Sequence, residues 1–422
     1  MRNTTPKLTA TKSFEGEVMK TDTTKFDRTI TDFFHKHLNI LFLVGISLLT
    51  LAIRNEFRGW VSGDMKFFLV PWATYLEEHG GFAGLATGPI DCNYPVTYQY
   101  ILAFMTYLPG SYLAKIKVVS VFFDYISAGF IMLIVREVGG YAKKSFVPLL
   151  AYAAALLIPT PILNSAAWGQ ADSIFSAFLI ISLYFLIKEK YPLAFVAFSL
   201  AFSFKLQAIF FLPVLLLVYF KKHNFSLQHF LIIPAVIGAV SLPAVAIGKP
   251  IPEIFSVYLG QLTANAKTTL DFPNMYFFLP DLYWQFAAPG IILTFALLMT
   301  FYFVLLRKEN FVLSGAALVE VSLLTIMICT YTLPAMHQRY LFTGDLIAVI
   351  YLFIRKERAY IPLIIWLISV NGYMYYLFGF GPLVEQRYLA MAYLWIMVLM
   401  ARDLIFRPLN KPTAAAAARQ NE

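Results

Sequence analysis

The stretch PVTYQYILAFMTYLPGSY, residues 95–112, decides how this chain is threaded. It is apolar enough to be taken for a membrane crossing. Counted as one, it would place Lys143-Lys144 outside and reverse every later loop. Basic clusters recur at Lys143-Lys144, Lys188-Glu189-Lys190, Lys221-Lys222-His223, Arg307-Lys308, Arg355-Lys356-Glu357-Arg358 and 402–407. Short loops rich in Lys and Arg stay on the cytoplasmic side. All six clusters share that side only if 95–112 does not cross. The stretch is therefore read as an amphipathic or re-entrant helix on the outer surface, over 96–107. A companion surface helix is expected over 66–78, with Gly80-Gly81 and Gly88-Pro89 as breaks.

Composition sets the frame for that choice. The chain has 422 residues, 59% hydrophobic and 17% aromatic, with 14% charged; soluble domains carry about 25% charged residues. Long apolar runs between short basic loops exclude a soluble multidomain protein. Backbone polar groups cannot go unpaired in hydrocarbon, so the crossings are expected to be helices. A membrane barrel needs alternating strands of about ten residues, and segments such as 175–187 do not alternate. The expected fold class is thus all-α, a polytopic transmembrane helical protein.

The net charge of +9 does not point to nucleic acid, because the excess flanks apolar segments, where it also suits anionic headgroups. Cys92 and Cys329 lie too far apart in sequence to suggest a disulfide framework or a metal site. Residues 1–36 lack the basic-then-apolar pattern of a cleaved signal, so the first apolar segment is expected to be retained.

Threading with both termini inside gives about 12 spans: 37–54, 115–136, 146–163, 171–187, 191–204, 206–220, 228–246, 289–306, 312–334, 341–354, 360–377 and 387–405. Residues 1–36 form a cytoplasmic N-terminal segment, 37–405 the transmembrane domain, and 406–422 a cytoplasmic tail with an alanine-rich run at 413–419. The stretch 191–220 is short for two crossings of about 20 residues each, so it reads as two short helices meeting at Phe204-Lys205-Leu206-Gln207. Two long outer loops follow, 55–114 and 247–288, and loops of that length usually have a functional reason. Such a protein is expected in the plasma membrane.

The threading collects polar residues on one face. Asp64 lies in Ser62-Gly63-Asp64 after the first span. Asp91 and Tyr94 follow in Asp91-Cys92-Asn93-Tyr94-Pro95. Gln170 and Asp172 sit in Trp168-Gly169-Gln170-Ala171-Asp172-Ser173, and Lys205 and Gln207 at the apex of the paired short helices. Gln261, Asn265, Asp271 and Asn274 populate the second long loop, and His337, Arg339 and Arg387 begin later spans. Each has a plainer reading. Asp64 can be a solvated loop charge, Asp172 a helix N-cap, Lys205 a side chain snorkelling to headgroups, and His337, Arg339 and Arg387 interfacial anchors. Together they suggest a reaction. Arg and Lys hold phosphate, as a fork and as a point charge. A carboxylate serves as general base toward a hydroxyl. A leaving lipid phosphate gains charge in the transition state and needs cations beside it.

At these residues the chain resembles the GT-C superfamily of integral-membrane glycosyltransferases, which use polyprenyl-phosphate sugars. The resemblance covers roughly 35–405. It rests on Ser62-Gly63-Asp64 with Asn93-Tyr94-Pro95-Val96-Thr97-Tyr98, similar to the acidic first loop and Y-P-P-x-T stretch of the dolichyl-phosphate-glucose glucosyltransferases and their bacterial relatives. Val96 stands where those enzymes have a second proline. Trp168-Gly169-Gln170-Ala171-Asp172 is similar to W-G-Q-x-D, Phe204-Lys205-Leu206-Gln207 to F-K-x-Q, and Met336-His337-Gln338-Arg339-Tyr340-Leu341-Phe342 to M-H-E-R-Y-x-F, with Gln338 in place of Glu. The resemblance implies that Asp64 is the catalytic base on the extracytoplasmic face. It implies that Lys205, His337 and Arg339 lie near the donor phosphate, that the sugar carbon is inverted, and that the two surface helices are juxtamembrane helices. Arg387 is grouped with the phosphate set, and Asp91, Tyr94, Gln170, Asp172 and Gln207 with substrate. Expected partners are a polyprenyl-phosphate-sugar donor, a glycan or cell-envelope polymer acceptor and the lipid bilayer. No metal or cofactor is expected.

A transporter or lipid-linked glycan flippase is the alternative, since it too has about twelve spans and builds sites from broken helices. Its polar groups should lie at mid-membrane, and its halves should show a repeat that this chain lacks. A polymerase or ligase using a lipid-diphosphate oligosaccharide differs in its donor.

Overall fold

The computed structural model describes residues 24–263 and 266–406. Residues 1–23 and 407–422, which hold most of the two expected cytoplasmic segments, and Asn265 of the second outer loop lie outside the described residues. The first helix, α1 (Lys25–Asn55), starts well before residue 37. Its N-cap Thr24 and Asp27 form a reciprocal capping box, the Asp27 carboxylate accepting from the Thr24 backbone N–H at 2.9 Å. This satisfies donors that a helix start otherwise leaves free, so the polar run 25–36 joins the helix.

A π-helical turn, Met65–Leu69, runs directly into α2 (Val70–Glu78), and α3 (Val96–Met105) follows. Both stretches expected to be surface helices are helical. α3 has ten residues, about 15 Å of helix, half of a hydrocarbon core about 30 Å thick. It packs instead on α2 and against the later α8 and α10. Next come α4 (Tyr112–Gly139), α5 (Val147–Leu157) and α6 (Pro159–Trp168). The α5–α6 bend of 43° has a local cause: Ile158 precedes Pro159 and takes an extended conformation, ψ 142°, because α geometry before proline is sterically disfavoured.

The chain continues as α7 (Asp172–Ile187), α8 (Tyr191–Phe204), a 3₁₀ turn Leu206–Phe211, α9 (Leu212–Lys222), α10 (Leu227–Ile247, opening with a 3₁₀ turn) and α11 (Ile251–Thr263). Then follow α12 (Tyr283–Arg307), α13 (Gly315–Thr332), α14 (Phe342–Ile354), α15 (Tyr360–Phe378) and α16 (Gln386–Phe406). Every expected span coincides with helix. Among the described residues α1, α4, α10, α12, α13, α15 and α16 are long and apolar enough to cross a membrane, seven helices, or eight if bent α5–α6 is one span. α7, α8, α9 and α14 are shorter: the chain leaves the α-helix at Lys205 between α8 and α9, at 333–341 before α14, and at 169–171 before α7. Irregular backbone between such helices is tolerated where protein buries it.

α13 has no polar face, Glu320 being its one charge, and lies at the centre with every residue from Leu318 to Thr332 buried. α7 packs between α4 and α8, and α14 lies against α4, α5, α7 and α13. α1, α12 and α16 instead expose Leu48, Leu51, Ile292, Phe295, Phe303, Trp395 and Val398. Apolar surface on that scale belongs against lipid rather than water, so the protein is membrane-embedded. A short ladder interrupts the helical fold: β1 (Thr269–Leu270) pairs in parallel with β2 (Met336–His337). It ties the second long loop to the segment carrying His337 and Arg339. At the far end of α14, Arg355 pairs with Glu320 at 2.7 Å and Arg358 with Asp403 at 2.8 Å, an ionic clasp remote from Asp64.

Candidate active site

The exit of α1 is tethered before it reaches Asp64. Lys117 on α4 donates to the carbonyls of Phe57 and Trp60, each at 2.6 Å. Both carbonyls lie just past the end of α1, where a cation is favoured, and that of Phe57 also accepts from the Trp60 N–H at 3.0 Å. Ser62 Oγ then donates to the Trp168 carbonyl at 2.9 Å and accepts from the Met65 N–H at 3.2 Å. The Asp64 turn is thereby fastened to the end of α6. Residues 162–168 form a second π-helical turn, closed by Gly169 at φ 75°. A Cβ at Gly169 would collide with the Met65 methyl, so only glycine suits this left-handed position. The π turns Met65–Leu69 and Ile162–Trp168 flank the Asp64 contact on both sides, a common setting for π turns.

Four donors converge on Asp64. Trp168 Nε1 (3.0 Å), Gln170 Nε2 (2.6 Å) and Arg339 Nη1 (3.1 Å) donate to Oδ2, and the Tyr376 hydroxyl (2.8 Å) donates to Oδ1. Trp168 is fully buried, stacked on Tyr376 at 4.3 Å between ring centres. Burial pushes the Asp64 carboxyl up; the Arg339 charge and the Tyr376 and Trp168 hydrogen bonds outweigh it and hold the group below the usual carboxylate range. Asp64 is therefore an anion with about a fifth of its side chain exposed, open toward a cavity.

Asp172 is a second anchor. It does not cap α7: it is the first helical residue, and its carboxylate points inward, fully buried. Its Oδ1 accepts a short hydrogen bond from Lys205 Nζ, and its Oδ2 accepts from Asn164 Nδ2 at 3.1 Å. Arg339 Nε lies 3.9 Å from the same oxygen. Lys205 is 5% exposed, which excludes snorkelling. Its ammonium sits among the Tyr94, Phe175 and Tyr340 rings, 5.6 to 6.0 Å from their centres, at distances where cation–π attraction operates. Tyr94 donates to Gln170 Oε1 at 2.9 Å, joining the first loop to the Trp168 segment.

These groups enclose a cavity of about 210 Å³ lined by Asp64, Tyr94, Gln170, Lys205, Gln207, His337, Arg339 and Tyr340, with Phe68, Leu69 and Trp72 from the surface helix. Drug-sized ligands occupy roughly 300–1,000 Å³, so this one suits a polar head group rather than a lipid tail. Four buried polar atoms of lining residues have no hydrogen-bond partner: Gln207 Oε1, Gln261 Oε1, His337 Nδ1 and Arg339 Nε. Such atoms are costly unless a ligand or water completes them. Burial, with Arg339 beside it, pushes the His337 imidazole down to about 3. His337 is thus neutral and brings one N–H rather than a charge.

Asp64, Lys205, His337, Arg339, Tyr94, Gln170 and Gln207 line the cavity, and Asp172 braces it from behind. Asp91 and Arg387 do not reach it. Asp91 lies exposed in a neighbouring cleft with Phe67, Pro71 and Tyr75, at φ 56°. Arg387 is exposed at the start of α16, 3.8 Å from Glu385; the chain turns into α16 there with its side chain facing outward. Gln261 lines the cavity, whereas Asp271 and Asn274 do not. Sequence reasoning misses Tyr376, the indole N–H of Trp168, and Asn164. Tyr376 falls inside an apolar helix, where tyrosine reads as an interfacial belt, and no local pattern marks it.

Among the described residues three further carboxylates, Glu320 of the ionic clasp, Asp124 and Asp345, are buried in the helices away from the cavity. Asp124 pairs with Arg54 at 3.2 Å, and Asp345 accepts from Ser369 at 2.9 Å. Among the described residues no three His, Cys, Asp or Glu side chains group as metal ligands. No family model matches the chain, and no curated protein does.

Proposed function

We propose that this chain is a membrane glycosyltransferase of the GT-C type. It would move a single sugar from a polyprenyl-phosphate donor to a glycan or cell-envelope polymer. The observation that carries this reading is a partly exposed Asp64 carboxylate sharing one small cavity with Arg339 and Lys205. In this reading Asp64 is the base and the two cations the anion site, within one head group's reach. In this reading about twelve segments cross the plasma membrane, four of them as short helices packed in the bundle, and the cavity opens on the extracytoplasmic face. The donor's tail lies in lipid, because the cavity holds only its head.

In the reaction an acceptor hydroxyl approaches Asp64 and gives its proton to the carboxylate. Its oxygen bonds to the anomeric carbon as the bond from that carbon to the phosphate oxygen breaks. The phosphodiester monoanion leaves as a lipid phosphate dianion, stabilised by Arg339 and Lys205, and attack from the opposite face inverts the carbon. Purified protein given polyprenyl-phosphate hexoses and a cell-envelope glycan fraction should release polyprenyl monophosphate. A panel of such donors giving no release, while the protein carries a lipid-linked glycan across a vesicle membrane, would replace this reading with transport.

The same reading sets a pH dependence. Tyr376 hydrogen-bonds the ionised form of Asp64 and so lowers its pKa. In Tyr376→Phe that support is gone and the carboxyl titrates higher. The acid limb of the kcat/KM profile, where Asp64 must be ionised, should move to higher pH, with the rate plateau on the alkaline side largely kept. An unmoved acid limb would separate Asp64 from the titrating base.

A further inference from the structure

Both cations of the cavity are already paired. Lys205 is held by Asp172, and Arg339 donates to Asp64 at 3.1 Å. Two carboxylates and two cations, with a neutral His337, make the site electrically neutral on its own side chains. The pairs differ in one respect. Asp172 is fully buried behind the cavity, whereas Asp64 faces into it, and only Arg339 touches both acids. Arg339 is also under-used: its Nε has no hydrogen-bond partner, and its guanidinium rests 5.2 Å over the Trp168 ring. A guanidinium with spare donors beside the base can swing between two acceptors without leaving the cavity.

Transfer moves negative charge across this residue. Asp64 loses its charge on taking the acceptor's proton, and the lipid phosphate gains one as the glycosidic bond to it breaks. We infer that Arg339 exchanges partners in each cycle, pairing with Asp64 before the donor enters and with the lipid phosphate once Asp64 is protonated, so that re-ionised Asp64 draws the guanidinium back and expels the product. This rests on the function proposed above. It makes Asp64 a competitor of product as well as a base, and it links proton release to lipid phosphate release through one side chain.

The test is a double-mutant cycle read as affinity for undecaprenyl monophosphate in nanodiscs, over wild type, Asp64→Asn, Arg339→Gln and the double variant. Asp64→Asn should tighten binding about tenfold, within the range of coupling between contacting charged residues. In the Arg339→Gln background the same change should leave affinity within about twofold. Equal tightening in both backgrounds would reduce the effect to through-space charge and overturn the exchange, as would no tightening in either. Failure of the functional reading looks different: wild type would then bind undecaprenyl monophosphate no better than undecaprenol. If Asp64→Asn does not fold, wild type carries the test through Trp168. Saturating undecaprenyl monophosphate should change its emission as the cation leaves the ring, and the change should be absent in Arg339→Gln; an unchanged emission in wild type overturns the exchange.

Discussion

Asp64→Asn is expected to lower sugar transfer by about 10²–10⁴-fold, the contribution of a positioned general base, with the protein still folded. The amide keeps the size of the carboxylate, and its oxygen can still accept from Trp168, Gln170 or Tyr376. What it loses is the ability to take a proton. The measurement is single-turnover release of lipid phosphate, with thermal unfolding as the control. Near-normal turnover would remove Asp64 from the chemistry and leave it as a structural partner of Arg339. Because the exchange of Arg339 predicts tighter product binding in this variant, single-turnover data separate the chemical step from release.

The largest effect on stability should come from Lys205→Met. The substitution strands Asp172, fully buried, with only Asn164 and the more distant Arg339 for support. Breaking a buried pair from one side costs about 3–5 kcal/mol, because an uncompensated charge remains. Adding Asp172→Asn removes that charge and should restore most of the lost stability, while lipid phosphate binding stays weak for want of the ammonium. A double variant as unstable as Lys205→Met would mean that Lys205 acts mainly through its packing against the Tyr94, Phe175 and Tyr340 rings. Denaturation in mild detergent reads the first quantity and lipid phosphate titration the second.

Much of this site is legible in the sequence, for a physical reason. Charged and amide side chains among apolar helices are rare enough to be noticed, and Asp64, Gln170, Asp172, Lys205, His337 and Arg339 all come together. Charge asymmetry among the loops marks 95–112 as a segment that does not cross, and the helix found there, α3, has only ten residues. The failures have equally plain causes. Loop membership assigns Asp91 and Arg387 to the site, but a loop states only which end of the bundle a residue occupies, not which way it faces. Tyr376 escapes notice because a tyrosine near a helix end is what any membrane helix carries. The π turns before Gly169 and after Asp64 are equally hidden, since one extra residue per turn leaves no mark in hydropathy. The short ladder between β1 and β2 depends on two segments far apart in sequence, so no local signal foretells it.

The neutrality of the cavity's own side chains bears on competition within the membrane. Phospholipids carry the same phosphate chemistry as the proposed donor and vastly outnumber it. A bare pair of cations at headgroup depth would be filled by them at all times. With Asp64 and Asp172 as resident counter-ions, a phosphate alone gains little by entering, since it must break one ion pair to form another. Only a ligand that also engages Gln207, His337 and the walls around Tyr94 and Trp72 recovers that loss. Under the proposed function, selectivity against the surrounding lipid is then an energetic threshold set inside the site by the two carboxylates.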